Sequence, residues 1–214
     1  MVKITNYIYL HGFASSPSSA KAQYLRNRFA DCQISLKIPD LNRGDFSHLT
    51  ITRQLEQVAT EFPSQETPLV LIGSSLGGLT AAILAQQYPQ VQRLVLLAPA
   101  FGFMKLWLSY LGDERVRQWQ ESGYLSVYHY GEERSLPLHY QFAIDAACYD
   151  DAQLQRAIPT LILHGRNDEV IPVRVSRDYA RSRSHVQLIE LNSDHGLMDV
   201  MPQIWQPIQE FCQI

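Results

Sequence analysis

Residues Gly73-Ser74-Ser75-Leu76-Gly77 constrain this 214-residue chain more than any other stretch. They follow the apolar run Leu69-Val70-Leu71-Ile72 and precede an Ala- and Leu-rich segment from Leu79 to Gln87. A buried strand therefore has to turn into a helix within five residues. The flanking positions of so sharp a turn must be small. Its strain lifts the central side chain, Ser75, out of the sheet and aims the next amide, Leu76 N–H, at the same spot. In that setting Gly-x-Ser-x-Gly has the pattern of a nucleophile elbow, with Ser75 as the candidate nucleophile. The pentapeptide alone recurs by chance, and the plainer alternative is a tightly packed glycine-rich turn with no chemistry.

The rest of the chain repeats the strand-then-helix pattern. Short apolar, β-branched runs at 7–10, 34–38, 69–72, 94–98, 160–164 and 186–191 are candidate strands. Candidate helices lie at 18–29, 50–62, 76–88, 173–182 and 202–212. Ser18 or Ser19 can cap the first helix, and Pro89 stops the third. Near-continuous apolar strands are buried on both faces. Alternating with helices, they predict an α/β fold with a mostly parallel, doubly wound six-stranded sheet. A chain of this length is expected to form one domain, 1–214, with a substantial core.

One segment breaks the alternation. Between Phe101 and Asp150 there is no convincing core strand, yet the segment holds eleven rings, half of the chain's aromatic side chains. A plain connection of that length is improbable in a compact domain. The segment, 101–150, is expected to be a small helical cap inserted over the carboxyl ends of the sheet. Phe101, Phe103 and Trp107, which directly follow the fourth strand, are its candidate substrate-binding residues. The alternative is extra helices packed on one side, with the rings as their core.

Composition narrows the function classes. The chain is 46% hydrophobic and 18% charged, with a formal net charge of −3. No Lys/Arg block points to nucleic acid or an anionic membrane. No apolar run approaches the 18 residues of a membrane span, and the first six residues carry no apolar leader. Cys32, Cys148 and Cys212 are widely spaced and form no metal or disulfide pattern. The expectation is a cytoplasmic protein with reduced thiols that acts on a small molecule and needs no metal or cofactor. The oligomeric state stays open.

A serine nucleophile needs a base, and the base an orienting acid. In folds with such an elbow the order is Ser, Asp/Glu, His. Asp168 lies a few residues beyond the fifth strand, in His164-Gly165-Arg166-Asn167-Asp168, at the carboxyl edge where open α/β sheets bind ligands. His195 sits in Asn192-Ser193-Asp194-His195-Gly196, after the last strand. Glu169 and Asp194 are the rival acids. The first is expected to point away, and the second would have to fold back to reach the ring. Among the other histidines, His11 and His164 end strands and are expected to brace loops. The oxyanion of an acyl transfer needs two N–H donors, each worth roughly 3 kcal/mol. Leu76 N–H is one. Phe13 N–H, freed by a turn at Gly12 after the first strand, is the other. Right-handed crossovers with strand order 2-1-3-4-5-6 bring Phe13 and Ser75 together at the topological switch point.

Taken together, His-Gly-Phe, Gly-x-Ser-x-Gly, Gly-Arg-Asn-Asp-x-x-Ile-Pro and Asp-His-Gly resemble the α/β-hydrolase superfamily over essentially the whole chain. The stretch from His11 to Ala22, with Gly73 to Gly78 and the length, is similar to the small bacterial esterases of the YqiA type. The resemblance implies a compact hydrolase that lacks the first strands of larger relatives. It also implies activity on short- or medium-chain acyl esters. Ser75, Asp168 and His195 match its triad positions, and Phe13 and Leu76 its oxyanion donors. Acyl thioester hydrolysis is the alternative activity. A noncatalytic ligand-binding protein is the alternative class, against which the intact triad argues.

Overall fold

A computed structural model describes residues 5–214; Met1–Ile4, on which the expectation about a leader partly rests, lie outside the described residues. The elements in chain order are β1 (Asn6–Leu10), α1 (Ala20–Asp31), β2 (Leu36–Lys37), α2 (Ile51–Thr60), β3 (Leu69–Ser74), α3 (Leu76–Gln87), β4 (Val91–Leu97) and α4 (Phe103–Ser122). There follow β5 (Tyr124–His129), β6 (Arg134–His139), α5 (Gln141–Ala146), β7 (Thr160–Gly165), α6 (Arg174–Arg181), β8 (Val186–Leu191) and α7 (Met201–Cys212). Six strands form one parallel sheet in the order β2-β1-β3-β4-β7-β8. This is the expected doubly wound arrangement.

Period-two alternation sorts the strand side chains between two layers. Ile8, Leu10, Leu69, Leu71, Leu94, Leu96 and Ile162 pack on the face covered by α2 and α3. Tyr7, Tyr9, Val70, Ile72, Val95, Leu97, Leu161 and Leu163 pack on the face of α1 and α7. Helix α3 is buried along its run from Leu76 to Ala85, which explains why its sequence lacks a polar stripe. Of the two candidate caps of the first helix, Ser18 and Ser19, it is Ser19 that accepts from Ala22 N–H, and Thr50, the expected start of the second helix, caps it by accepting from Arg53 N–H. Strand β2 is shorter than the expected 34–38, with two paired residues at the sheet's edge. Among the described residues no helix is long and apolar enough to cross a membrane.

The insertion between β4 and β7 is not purely helical. It comprises α4, kinked at Gly112 (φ 76°), an antiparallel hairpin β5–β6, and α5. The hairpin escaped the sequence reading because it is not a core strand pair: β5 alternates exposed and half-buried residues up to the buried His129, and β6 carries Pro137. One hydrogen bond ties the insertion to the loop that follows β1: Tyr130 N–H, just past β5, donates to Ala14 O at 2.8 Å.

Candidate active site

The turn between β3 and α3 is as tight as the sequence demands. Ser75 has φ 54° and ψ −120°, a conformation that an L-residue holds only under strain. A side chain at Gly73 would collide with the Gly77 backbone, and one at Gly77 with the carbonyls of Leu10 and His11. The strain is held by the surroundings. Ser75 N–H donates to Leu97 O at 2.9 Å, while Ser75 O accepts from Gly78, Leu79 and Ala100 N–H at 2.9, 3.2 and 3.1 Å.

The loops after β7 and β8 meet above this turn. A side chain at Gly165 would run into the backbone of Ser193 and Asp194. Arg166 N–H donates to Leu191 O at 2.8 Å and Asn167 N–H to Ser193 O at 3.0 Å. Asp194 spends its Oδ1 on Gly196 and Leu197 N–H, at 2.8 and 3.2 Å, which curls the loop that presents His195. It does not fold back onto the ring. Glu169 is exposed.

The sequence-selected residues are thereby brought into one chain of contacts. His195 Nε2 lies 3.1 Å from Ser75 Oγ, and His195 Nδ1 lies 2.7 Å from Asp168 Oδ2. The Asp168 carboxylate is inaccessible to solvent, whereas the His195 ring keeps 25% exposure. Asp168 Oδ1 accepts from Val170 and Ile171 N–H at 2.9 and 2.7 Å. Burial works to raise the Asp168 pKa, but hydrogen bonds from His164 and His195 and from the Ile171 amide outweigh it and hold the carboxyl well below the usual range. Asp168 therefore stays ionised and fixes the proton of His195 on Nδ1, leaving Nε2 free to accept from Ser75.

Leu76 is the first residue of α3, so its N–H has no partner within the helix. Among the described residues neither Leu76 N–H nor Phe13 N–H makes a hydrogen bond. The register Leu10↔Gly73 sets the end of β1 beside the elbow. Gly12 has no positive φ, and an added Cβ would make ordinary contacts, 3.4 Å from Ser74 O and Ser75 Cβ and 4.0 Å from Ser75 Oγ. The positive φ of this loop falls on Ala14, at 51°.

The insertion's rings gather around Phe13. Its ring centre is 5.9 Å from Phe103, 5.3 Å from Trp107, 5.4 Å from Phe142 and 5.5 Å from Phe46. Two of the three expected substrate-binding rings, Phe103 and Trp107, thus stand beside the loop that carries the second N–H. Phe101 does not join them. It is buried and stacks on Tyr179 of α6 at 4.2 Å. Three participants were not assigned these contacts from sequence. His164 Nε2 donates to Asp168 Oδ2 and Ile171 O, at 3.1 and 2.8 Å. Lys21 Nζ donates to Ser74 Oγ at 3.0 Å. Phe142 closes the ring cluster. A strand-end histidine followed four residues later by the acid was the available signal for the first. Among the described residues, no three His, Cys, Asp or Glu side chains cluster as metal ligands.

The architecture is that of the α/β hydrolases. Mouse alpha/beta hydrolase domain-containing protein 10 is similar in structure, with a TM-score of 0.81 at 21% identity over 97% of this chain and 89% of that one. Est1E from Butyrivibrio proteoclasticus, solved with ferulic acid bound, matches with a TM-score of 0.75 at 17% identity over 99% and 89%. A pyrethroid hydrolase from Sphingobium faniae matches with a TM-score of 0.67 at 19% identity, covering 98% of each chain. At these identities the likeness is one of fold. The sequence itself is matched from residue 6 to residue 213 by one family model, and the chain belongs to that family, the uncharacterised protein family UPF0227.

Proposed function

We propose that the protein is a serine hydrolase that cleaves carboxylic esters of short or medium acyl chains. The observation that carries this reading is the continuous Ser75–His195–Asp168 relay, 3.1 and 2.7 Å long, on a strained elbow. In the proposed reaction His195 Nε2 takes the proton of Ser75 as Oγ attacks the ester carbonyl carbon. The carbonyl oxygen becomes an oxyanion that accepts from Leu76 and Phe13 N–H. Asp168 keeps the imidazolium oriented without itself taking the proton. His195 returns its proton to the departing alkoxide, leaving Ser75 acylated. Water, deprotonated by the same ring, releases the carboxylic acid and restores Ser75. Rings at Phe103 and Trp107 are proposed to contact the acyl or alcohol group. That Est1E binds ferulic acid and another fold relative is a pyrethroid hydrolase supports ester chemistry on this framework. A cytoplasmic setting is proposed with it, in keeping with the exposed free thiol of Cys148.

A panel of p-nitrophenyl esters graded by acyl length, run beside matched thioesters, tests the reading. Ester turnover should be measurable and fall by at least ~10³-fold in Ser75→Ala, with folding unchanged. Preferred turnover of thioesters would replace the ester assignment, and no Ser75-dependent turnover of either would remove it.

A further inference from the structure

Among the described residues, every large hydrophobic side chain that is exposed lies in the insertion or on a loop that carries a triad residue. In the insertion these are Tyr110, Tyr124, Tyr128, Tyr130 and Ile144. The other two are Val170, just after Asp168, and Met198, just after His195. The most exposed of all is Tyr110, at 83%. It sits near the end of the stretch of α4 that precedes the break at Gly112, residues 103–111.

That stretch is at odds with its exposure. Seven of its nine side chains are apolar or aromatic, and only Lys105 and Ser109 are not. A helix that is apolar all round belongs in a core. Here only Phe103 and Leu111 are buried, while Met104, Leu106, Trp107 and Leu108 are half-buried. Polar contacts do not tie it down either. Its first turn is held by Phe103 N–H on Ala100 O and Leu106 N–H on Gly102 O, both at 3.1 Å. Beyond that turn, among the described residues, the stretch makes no hydrogen bond outside α4. The rest of the insertion is clamped. Trp119 Nε1 donates to Leu138 O at 2.9 Å, and Thr52 N–H of α2 donates to Asp145 Oδ2 at 3.0 Å. Gly102 and Gly112 bound the stretch with φ of 68° and 76°, and a Cβ at either would meet nothing within 4 Å. Residues 103–111 are thus an apolar helix between two pivots, resting through Phe103 and Trp107 on the rings of Phe13 and Phe142.

The chemistry of the exposed side chains narrows what would cover this helix. The stretch carries one charge, Lys105, whose stem is long enough to keep the ammonium in water while the helix lies on an apolar boundary. Nothing on it selects an ionic partner. Four of the seven exposed side chains are tyrosines, whose apolar ring and polar tip suit the level where lipid meets water. A protein partner would need a polar rim to pair with, and Lys105 and Ser109 supply little of one. Val170 and Met198 carry the same apolar character onto the loops of Asp168 and His195. We propose that residues 103–111 are the docking element by which the protein settles on an uncharged lipid surface. Met104, Leu106, Leu108 and Tyr110 enter its apolar layer. Esters too apolar to dissolve collect in such a surface. That the docked protein hydrolyses them rests on the hydrolase reading above.

The test is flotation with phosphatidylcholine vesicles, with and without added phosphatidylglycerol, of the unmutated protein and of the double variant Leu106→Ser, Tyr110→Ser. The unmutated protein should float with the uncharged vesicles and gain nothing from the anionic lipid. The double variant should bind at least about tenfold more weakly, because two apolar side chains no longer enter the lipid. Its turnover of emulsified tributyrin should fall with binding, while that of dissolved p-nitrophenyl acetate stays. No flotation, flotation that requires the anionic lipid, or equal flotation of the variant overturns the proposal. So does a solution dimer that the variant turns into a monomer, since a second copy would then cover the helix. If the variant does not fold, the unmutated protein decides. Brominated phosphatidylcholine should quench the fluorescence of the half-buried Trp107, because Trp119 and Trp205 are buried, and an unquenched signal overturns the proposal. Flotation and quenching need no ester turnover. A Ser75 that fails to react with a fluorophosphonate would remove the hydrolase reading and leave docking standing, whereas a labelled Ser75 without flotation removes docking alone.

Discussion

His164 Nε2 stands 3.1 Å from Asp168 Oδ2, the same oxygen that His195 Nδ1 approaches at 2.7 Å. The orienting carboxylate is thus held by a second imidazole that never faces Ser75. His164 is fully buried, and its Nε2 also donates to Ile171 O at 2.8 Å, so that nitrogen carries the proton. Its Nδ1 is then left to accept from Ser176 Oγ at 2.7 Å. His164→Gln should lower stability by about 1–3 kcal/mol, because buried partners lose their hydrogen bonds. It should reduce kcat far less than loss of His195. Urea unfolding read beside ester turnover checks both.

Asp168 and Asp194 separate by role. Asp168→Asn should cut kcat by roughly 10⁴-fold, because an amide can hold the wrong His195 tautomer. Asp194→Asn should do far less, since its Oδ1 can still accept from Gly196 and Leu197 N–H. A reversed result would put the acid on the wrong loop.

The depressed Asp168 pKa also sets an acid limit on stability. Its contribution is full above the unfolded carboxyl value, about 3.9, and is lost as pH falls from there through the lower folded value. Unfolding free energy followed between about pH 5 and 2 should therefore decline less steeply in Asp168→Asn than in the unmutated protein. Equal slopes would mean that this carboxylate gains nothing on folding.

The insertion's rings divide into two groups. Phe103 and Trp107 surround Phe13, whereas Phe101 stacks on Tyr179. Trp107→Ala should change the acyl-length profile of ester turnover. Phe101→Ala should leave the profile alone and cost roughly 3–5 kcal/mol of stability. If Trp107→Ala loses that much stability with an unchanged profile, the cluster is packing.

Long-range order was legible where local chemistry is strict. The elbow announced itself because Gly73 and Gly77 leave no room for a side chain, and the apolar strands because they are buried on both faces. Asp168 and His195 could be chosen because each follows a strand that ends at the elbow's edge of the sheet. The β5–β6 hairpin was not legible: half its residues face water, and Pro137 sits within it. Nor was the split of the rings, since Phe101 and Phe103 are two residues apart and only the left-handed turn at Gly102 (φ 68°) sends them to different neighbours. Lys21 looks in sequence like an ordinary helix lysine, and its contact with Ser74 spans 53 residues.

The most direct test is fluorophosphonate labelling followed by peptide mapping. Ser74 and Ser75 are adjacent, but Ser75 has His195 Nε2 at 3.1 Å while Ser74 is buried against Lys21. One label per chain on Ser75, abolished by His195→Asn, is the predicted result. Labelling of Ser74, or no labelling of folded protein, would contradict the assignment of Ser75 as an activated nucleophile.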